Sequence, residues 1–110
     1  MAETTDARLI YITTDGVEEA KAIGRALVEA RLAACVNILD PMISMYWWEG
    51  KVTDGRETVL IAKTTAARTD ALIAKVRELH SFSCPCVVAL PVVAGNPGFL
   101  DWIAAETAGD

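Results

Sequence analysis

Apolar and polar residues follow two different periods along this chain, and the switches between them mark its elements. Residues 8–14, RLIYITT, are a short apolar run rich in β-branched and aromatic residues, which predicts a buried first strand. Thr14, Asp15 and Gly16 then offer N-cap chemistry, and the period becomes 3.6. Ala20, Ile23, Gly24, Leu27, Val28 and the stem of Arg31 share one side of a helix running to about residue 32, with Glu19, Lys21, Arg25 and Glu29 turned outward. Glu18 and Glu19 fall in its first turn, where the helix dipole favours negative charge, and Gly24 predicts a close approach of helix to sheet.

Residues 34–65 read as two long strands joined by a polar turn, and the rest of the chain is organised around them. The first arm carries Val36, Ile38, Ile43, Tyr46, Trp47 and Trp48; Glu49-Gly50 and Asp54-Gly55 supply the turn; residues 58–62 are the apolar run of the second arm. Asp40-Pro41 interrupts the first arm. Proline has no N–H for a ladder, so this dipeptide predicts a bulge or bend where the strand changes pairing partner. Thr65 or Thr69-Asp70 caps a second helix to about His80, with Leu72, Ile73, Val76 and Leu79 as its stripe and Arg68, Lys75, Arg77 and Glu78 on its wet face. A Ser81-Phe82-Ser83 turn leads to a fourth strand over residues 85–93, and Gly95-Asn96-Pro97-Gly98 breaks the chain before a last helix from residue 99 to about 107.

The order βαββαβ plus a C-terminal helix predicts an α+β, ferredoxin-like fold: an antiparallel sheet with two helices on one face. At 110 residues, the span 1–110 is read as one domain. The central arms exceed the ~10 residues that strands of small sheets use, and a protruding ribbon with exposed edges aggregates unless another chain pairs with it. The hydrophobic fraction of 53% and mean hydropathy of +0.31 point the same way, because so small a core cannot hide that much apolar surface. An obligate oligomer is the expectation, with the open sheet face covered by neighbouring subunits and the C-terminal helix.

A formal net charge of -5 and a pI near 4.8 argue against nucleic acid and anionic membrane surfaces as partners. MAETTDARL lacks the basic start and apolar core of a signal peptide, and no apolar run approaches the ~20 residues of a membrane helix. The expectation is a soluble, cytoplasmic protein. Three cysteines in such a chain argue for buried or metal-facing thiols rather than a disulfide framework.

His80 with Cys84-Pro85-Cys86 is the one cluster of soft ligands. In an extended strand the two thiols face one side, roughly 6 to 7 Å apart along the backbone, and thiolates select copper(I) or zinc with His80 available to add an imidazole. The competing reading makes Cys84 and Cys86 small apolar residues of a buried strand and His80 the end of a helix. Cys35, between Ala34 and Val36, reads as core. Tyr46, Trp47, Trp48 and Trp102 suit an interface anchor or, alternatively, an aromatic cage. Glu57 and Lys63, on one face of their strand, either form a structural ion pair or line a pocket. No phosphate-cradling loop and no nucleophile–base arrangement is visible, so no catalytic residues are assigned.

The segments Leu32-Ala33-Ala34-Cys35-Val36-Asn37, Ser44-Met45-Tyr46-Trp47-Trp48-Glu49-Gly50, Glu57 with Lys63-Thr64, Leu79-His80, Pro85, Leu90-Pro91-Val92 and Phe99-Leu100-Asp101-Trp102, in this order and spacing, resemble the CutA divalent-cation-tolerance family over nearly the whole chain. The resemblance implies a ferredoxin-like subunit in a tight homotrimer whose hairpin arms pair edge to edge. It also implies an association with copper and other divalent cations, and, with no catalytic constellation visible in the residues, a non-enzymatic protein is the expectation. The chain departs from the family where a Pro-Tyr and a carboxylate are usual: it reads Ser81-Phe82-Ser83-Cys84-Pro85-Cys86, with sulfur in place of an oxygen ligand. Two other classes of function share the architecture. One is a PII-like trimeric sensor of small molecules, which requires Arg and Lys to converge on a cleft, whereas Lys51, Arg56 and Lys63 form no compact cluster in the sequence. The other is a scaffold for a partner protein.

Overall fold

The structure is a computed structural model that describes residues 5–109; the ends of the expected 1–110 domain lie outside them. Its elements follow the predicted order: β1 (Ala7–Thr14), α1 (Val17–Glu29), β2 (Cys35–Trp48), β3 (Lys51–Thr65), α2 (Ala66–Leu79), β4 (Val87–Pro91) and α3 (Pro97–Glu106). The strands form one antiparallel sheet in the order β2-β3-β1-β4, the α+β, ferredoxin-like arrangement. The core lies between one sheet face and α1 and α2. Ile10, Ile12, Leu60 and Ala62 from β1 and β3 meet Ile23 and Leu27 of α1 and Leu72 and Val76 of α2, all essentially solvent-free. Gly24 does let α1 approach the sheet, because a Cβ there would stand 3.0 Å from Val36 Cγ2 and 3.3 Å from Leu60 Cδ1.

Several boundaries differ from the sequence expectation, among them the start of α3, which opens at Pro97 rather than residue 99, with the Asn96 side chain capping it by accepting from the Gly98 N–H. Helix α1 ends at Glu29 rather than near residue 32. Arg31 adopts a left-handed φ of 61°, while the N–H groups of Arg31 and Leu32 donate back to Val28 O and Leu27 O. This closes the helix as a Schellman turn without its usual glycine. Next, the hairpin turn is Glu49-Gly50 alone, with φ values of 50° and 79°, and Trp48 pairs with Lys51. Asp54-Gly55 lies inside β3, opposite Met45 and Ser44, where Gly55 makes room for the Tyr46 ring. Finally, β4 covers only residues 87–91, so Cys84 and Cys86 precede the strand and the predicted one-sided placement of their thiols on it does not hold.

The expected interruption at Asp40-Pro41 is a bulge: Leu39 pairs with Val59 and Met42 with Glu57, leaving two residues of β2 opposite Thr58. The bulge divides the sheet in two. On its inner side, residues 58–65 of β3 pair with β1, and 59–63 of them with β2 as well; on its outer side, residues 51–57 pair with β2 only. Helix α3 packs at the end of the sheet where β3 finishes. It is held by an Arg31–Glu106 ion pair at 2.8 Å, by Arg68 Nε donating to Thr107 O, and by buried Ile103.

Candidate functional site

The 80–86 turn is fixed at its start by side chains distant in sequence. His80 has no exposed side-chain surface; its Nδ1 accepts from the Phe82 N–H at 3.0 Å, which places the ring proton on Nε2, the donor to Thr13 O at 2.7 Å. Both ring nitrogens are therefore occupied, and neither has a lone pair left for a metal. Glu19, expected on the outer face of α1, instead reaches under this turn: Oε1 accepts from the Asp15 N–H and Oε2 from the Ser81 N–H, each at 2.9 Å. Burial works against its charge, but those hydrogen bonds outweigh it and hold the Glu19 carboxyl below the ordinary glutamate range. Nothing local in the sequence signals this contact, because Glu19 and Ser81 are 62 residues apart.

Beyond this anchor the turn opens to solvent. Cys84 and Cys86 are both free and exposed in the single chain, ahead of β4, and Cys35 is half-buried at the start of β2. Among the described residues no group of three or more His, Cys, Asp or Glu side chains is placed to hold a metal ion. The structure therefore does not bring His80 together with Cys84 and Cys86 as a ligand set. A divalent ion of the zinc or magnesium type takes four or six ligands, and the donors of one chain do not fit it.

Glu57 and Lys63 do not pair with each other. Glu57 accepts from Ser44 Oγ at 2.7 Å, and Lys63 Nζ donates to Asn37 Oδ1 and stands 5.9 Å over the Phe99 ring. These contacts tie β3 to β2 on the open sheet face and to α3. Trp102 stacks on Phe99 with centroids 5.6 Å apart and is half-exposed. The aromatic residues of the ribbon are scattered over both of its faces. Tyr46 lies across Gly55, whereas Trp47 and Trp48 are 74% and 63% exposed and touch no partner that would make a cage. A shallow depression at the bulge, lined by Asp40, Arg56, Glu57 and Thr58, has Arg56 as its one cation, which does not meet the requirement for a phosphate-binding cleft.

Fold and site together define a class: a ferredoxin-like α+β domain whose β2–β3 ribbon outgrows its own sheet, with no metal cluster among the described residues. A family model described as CutA1 divalent ion tolerance protein matches residues 8–106. The divalent-cation tolerance protein CutA of Thermus thermophilus is 42% identical over 99 residues, covering 90% of this chain and 96% of that one. Its counterpart from Archaeoglobus fulgidus is 44% identical over 94 residues, covering 86% and 91%. Among solved structures, CutA from Xylella fastidiosa superposes with a TM-score of 0.91 at 38% identity, covering 94% of this chain and 99% of that one. The chain belongs to the CutA1 divalent ion tolerance family, as the resemblance of its motifs implied.

Proposed function

We propose that this protein is a non-enzymatic, cytoplasmic homotrimer that acts in divalent-cation tolerance by binding metal, with copper the first candidate. Its partners are then two further copies of the chain and a metal ion, with neither nucleic acid nor membrane. Family membership supports the tolerance role, since relatives at about this distance are named divalent-cation tolerance proteins. No helix among the described residues is long and apolar enough to cross a membrane, which accords with an aqueous compartment, and the free thiols accord with a reducing one. The candidate ligands from one chain reduce to Cys84 and Cys86, because both nitrogens of His80 are engaged.

The observation that carries the assembly is the ribbon beyond the bulge. Residues 51–57 of β3 have no partner on the side away from β2, and Ile43, Met45, Trp47, Trp48 and Val52 are each between 63% and 74% exposed. An unpaired edge flanked by large apolar side chains is unstable in water unless a neighbouring chain completes it. Tyr46, Trp47 and Trp48 on the ribbon, with Trp102 on α3, are the anchors this assembly would bury. Native mass spectrometry of the full chain tests the reading. A trimer that Trp47→Asp converts to monomer supports it, and a monomer at micromolar wild-type concentration refutes it.

A further inference from the structure

We infer, on the reading of the protein as a trimer, that Glu57 of one copy pairs with Lys63 of the next across the open sheet face, one ion pair closing each contact of the ring. The single chain leaves both charges unmatched. Glu57 and Lys63 are half-buried, and among the described residues neither stands within ion-pair distance of an opposite charge. Ser44 donates to the Glu57 carboxylate at 2.7 Å, and Lys63 has only the Asn37 amide oxygen and the Phe99 ring. These neutral groups hold each charge in place without neutralising it.

Register keeps the two apart within one chain. Leu60 and Ala62 of β3 point into the core beneath the helices, so Glu57 and Lys63, at odd positions of the same strand, face the open side. Six positions separate them, about 20 Å at ~3.3 Å per residue, too far for one side chain to reach the other. Glu57 sits at the bulge, where the ribbon leaves the sheet, and Lys63 at the far end beside Phe99 of α3. Val59 and Ile61 lie between them, flanked by Tyr11 of β1 and by Leu39 of β2, which is 57% exposed. A second copy laid on this apolar stretch takes both charges out of water. A lone charge under such a cover is costly, whereas one met by its opposite, with hydrogen bonds already in place, is tolerated. Glu57 is the one carboxylate that register places on the open face of the described strands, so it is the group a covering copy brings to Lys63. Lys51, the other cation on that side, is exposed at the ribbon tip and needs no counter-charge. A head-to-tail contact sets one patch against a different one, so Glu57 meets Lys63 rather than its own copy, and the pairing repeats until the ring closes.

The test is charge reversal in the full chain, read by native mass spectrometry across a dilution series. Glu57→Lys and Lys63→Glu should each raise the concentration at which the trimer falls apart by about tenfold or more, and the double reversal should recover most of that loss. Effects that merely add in the double variant overturn the inference and leave the trimer reading standing, whereas a monomeric wild type overturns both. If circular dichroism shows that a reversal does not fold, the wild type decides the matter. Light and heavy-isotope chains are refolded together and treated with a zero-length carbodiimide. A cross-link from Glu57 of a light chain to Lys63 of a heavy one is the expected product. Cross-links from Lys63 to other carboxylates only, or from Glu57 to Lys63 within one chain only, overturn the inference.

Discussion

The two ends of the β2–β3 pair are built from the same strands and differ in what surrounds them. At the inner end β3 lies between β1 and β2, and Leu60 and Ala62 point into a closed core beneath α1 and α2. At the outer end the same strand has, among the described residues, β2 as its single partner, and the large apolar side chains of the ribbon, most of them on β2, are mostly exposed. The change falls at the Asp40-Pro41 bulge, where the ladder loses one step and β1 has no further residue to offer. The inner end is stabilised by contacts this chain makes with itself. The outer end has the composition of an interior and the surroundings of a surface, which is the ground for proposing that other chains complete it.

Substitutions can set the two ends against each other. Leu60→Ala, in the fully buried inner end, should lower stability by about 2–5 kcal/mol in a urea titration. Glu19→Gln, which weakens the anchor of the 80–86 turn, should lower it by about 1.5–3 kcal/mol at neutral pH, a typical figure for hydrogen bonds to a charged group. The pH dependence of that loss is specific. Since the Glu19 carboxyl is held below its ordinary range in the folded protein, its contribution is complete above that range and lost as pH falls from there through the lowered folded-state value. The urea midpoints of wild type and Glu19→Gln should therefore converge on acidification, and parallel curves would remove Glu19 from the account. Gly50→Ala places a side chain at a φ of 79° with open space around it, so only backbone strain opposes it. Its effect should be about 1 kcal/mol and confined to the ribbon tip, read as faster amide exchange near Glu49 with the core amides unchanged.

Much of the fold was legible in the chain because its periods are local. The order of elements, the bulge at Asp40-Pro41 and the close approach at Gly24 all follow from residue type and spacing, and the structure has each of them. Asp54-Gly55 misled because Asp-Gly is a common hairpin turn, whereas here Glu49-Gly50 makes the turn and Gly55 accommodates Tyr46. The site was less legible, for a different reason. His80 looks like a ligand beside two cysteines until Thr13, 67 residues away, takes one of its nitrogens. Glu19 looks like an outward helix residue until the turn after α2 folds onto it. Contacts between distant segments decided both, and neither segment alone carries a pattern that announces them.

The central claim is that the outer half of β3 is completed by a neighbouring chain. Amide hydrogen exchange over residues 51–57, measured by NMR on the wild-type protein, tests it most directly. The N–H groups of this stretch that point away from β2 have no acceptor among the described residues, so protection there, as slow as in residues 58–65, is the predicted result. Exchange at the rate of free peptide in those amides, with the inner half of the strand still protected, would contradict it.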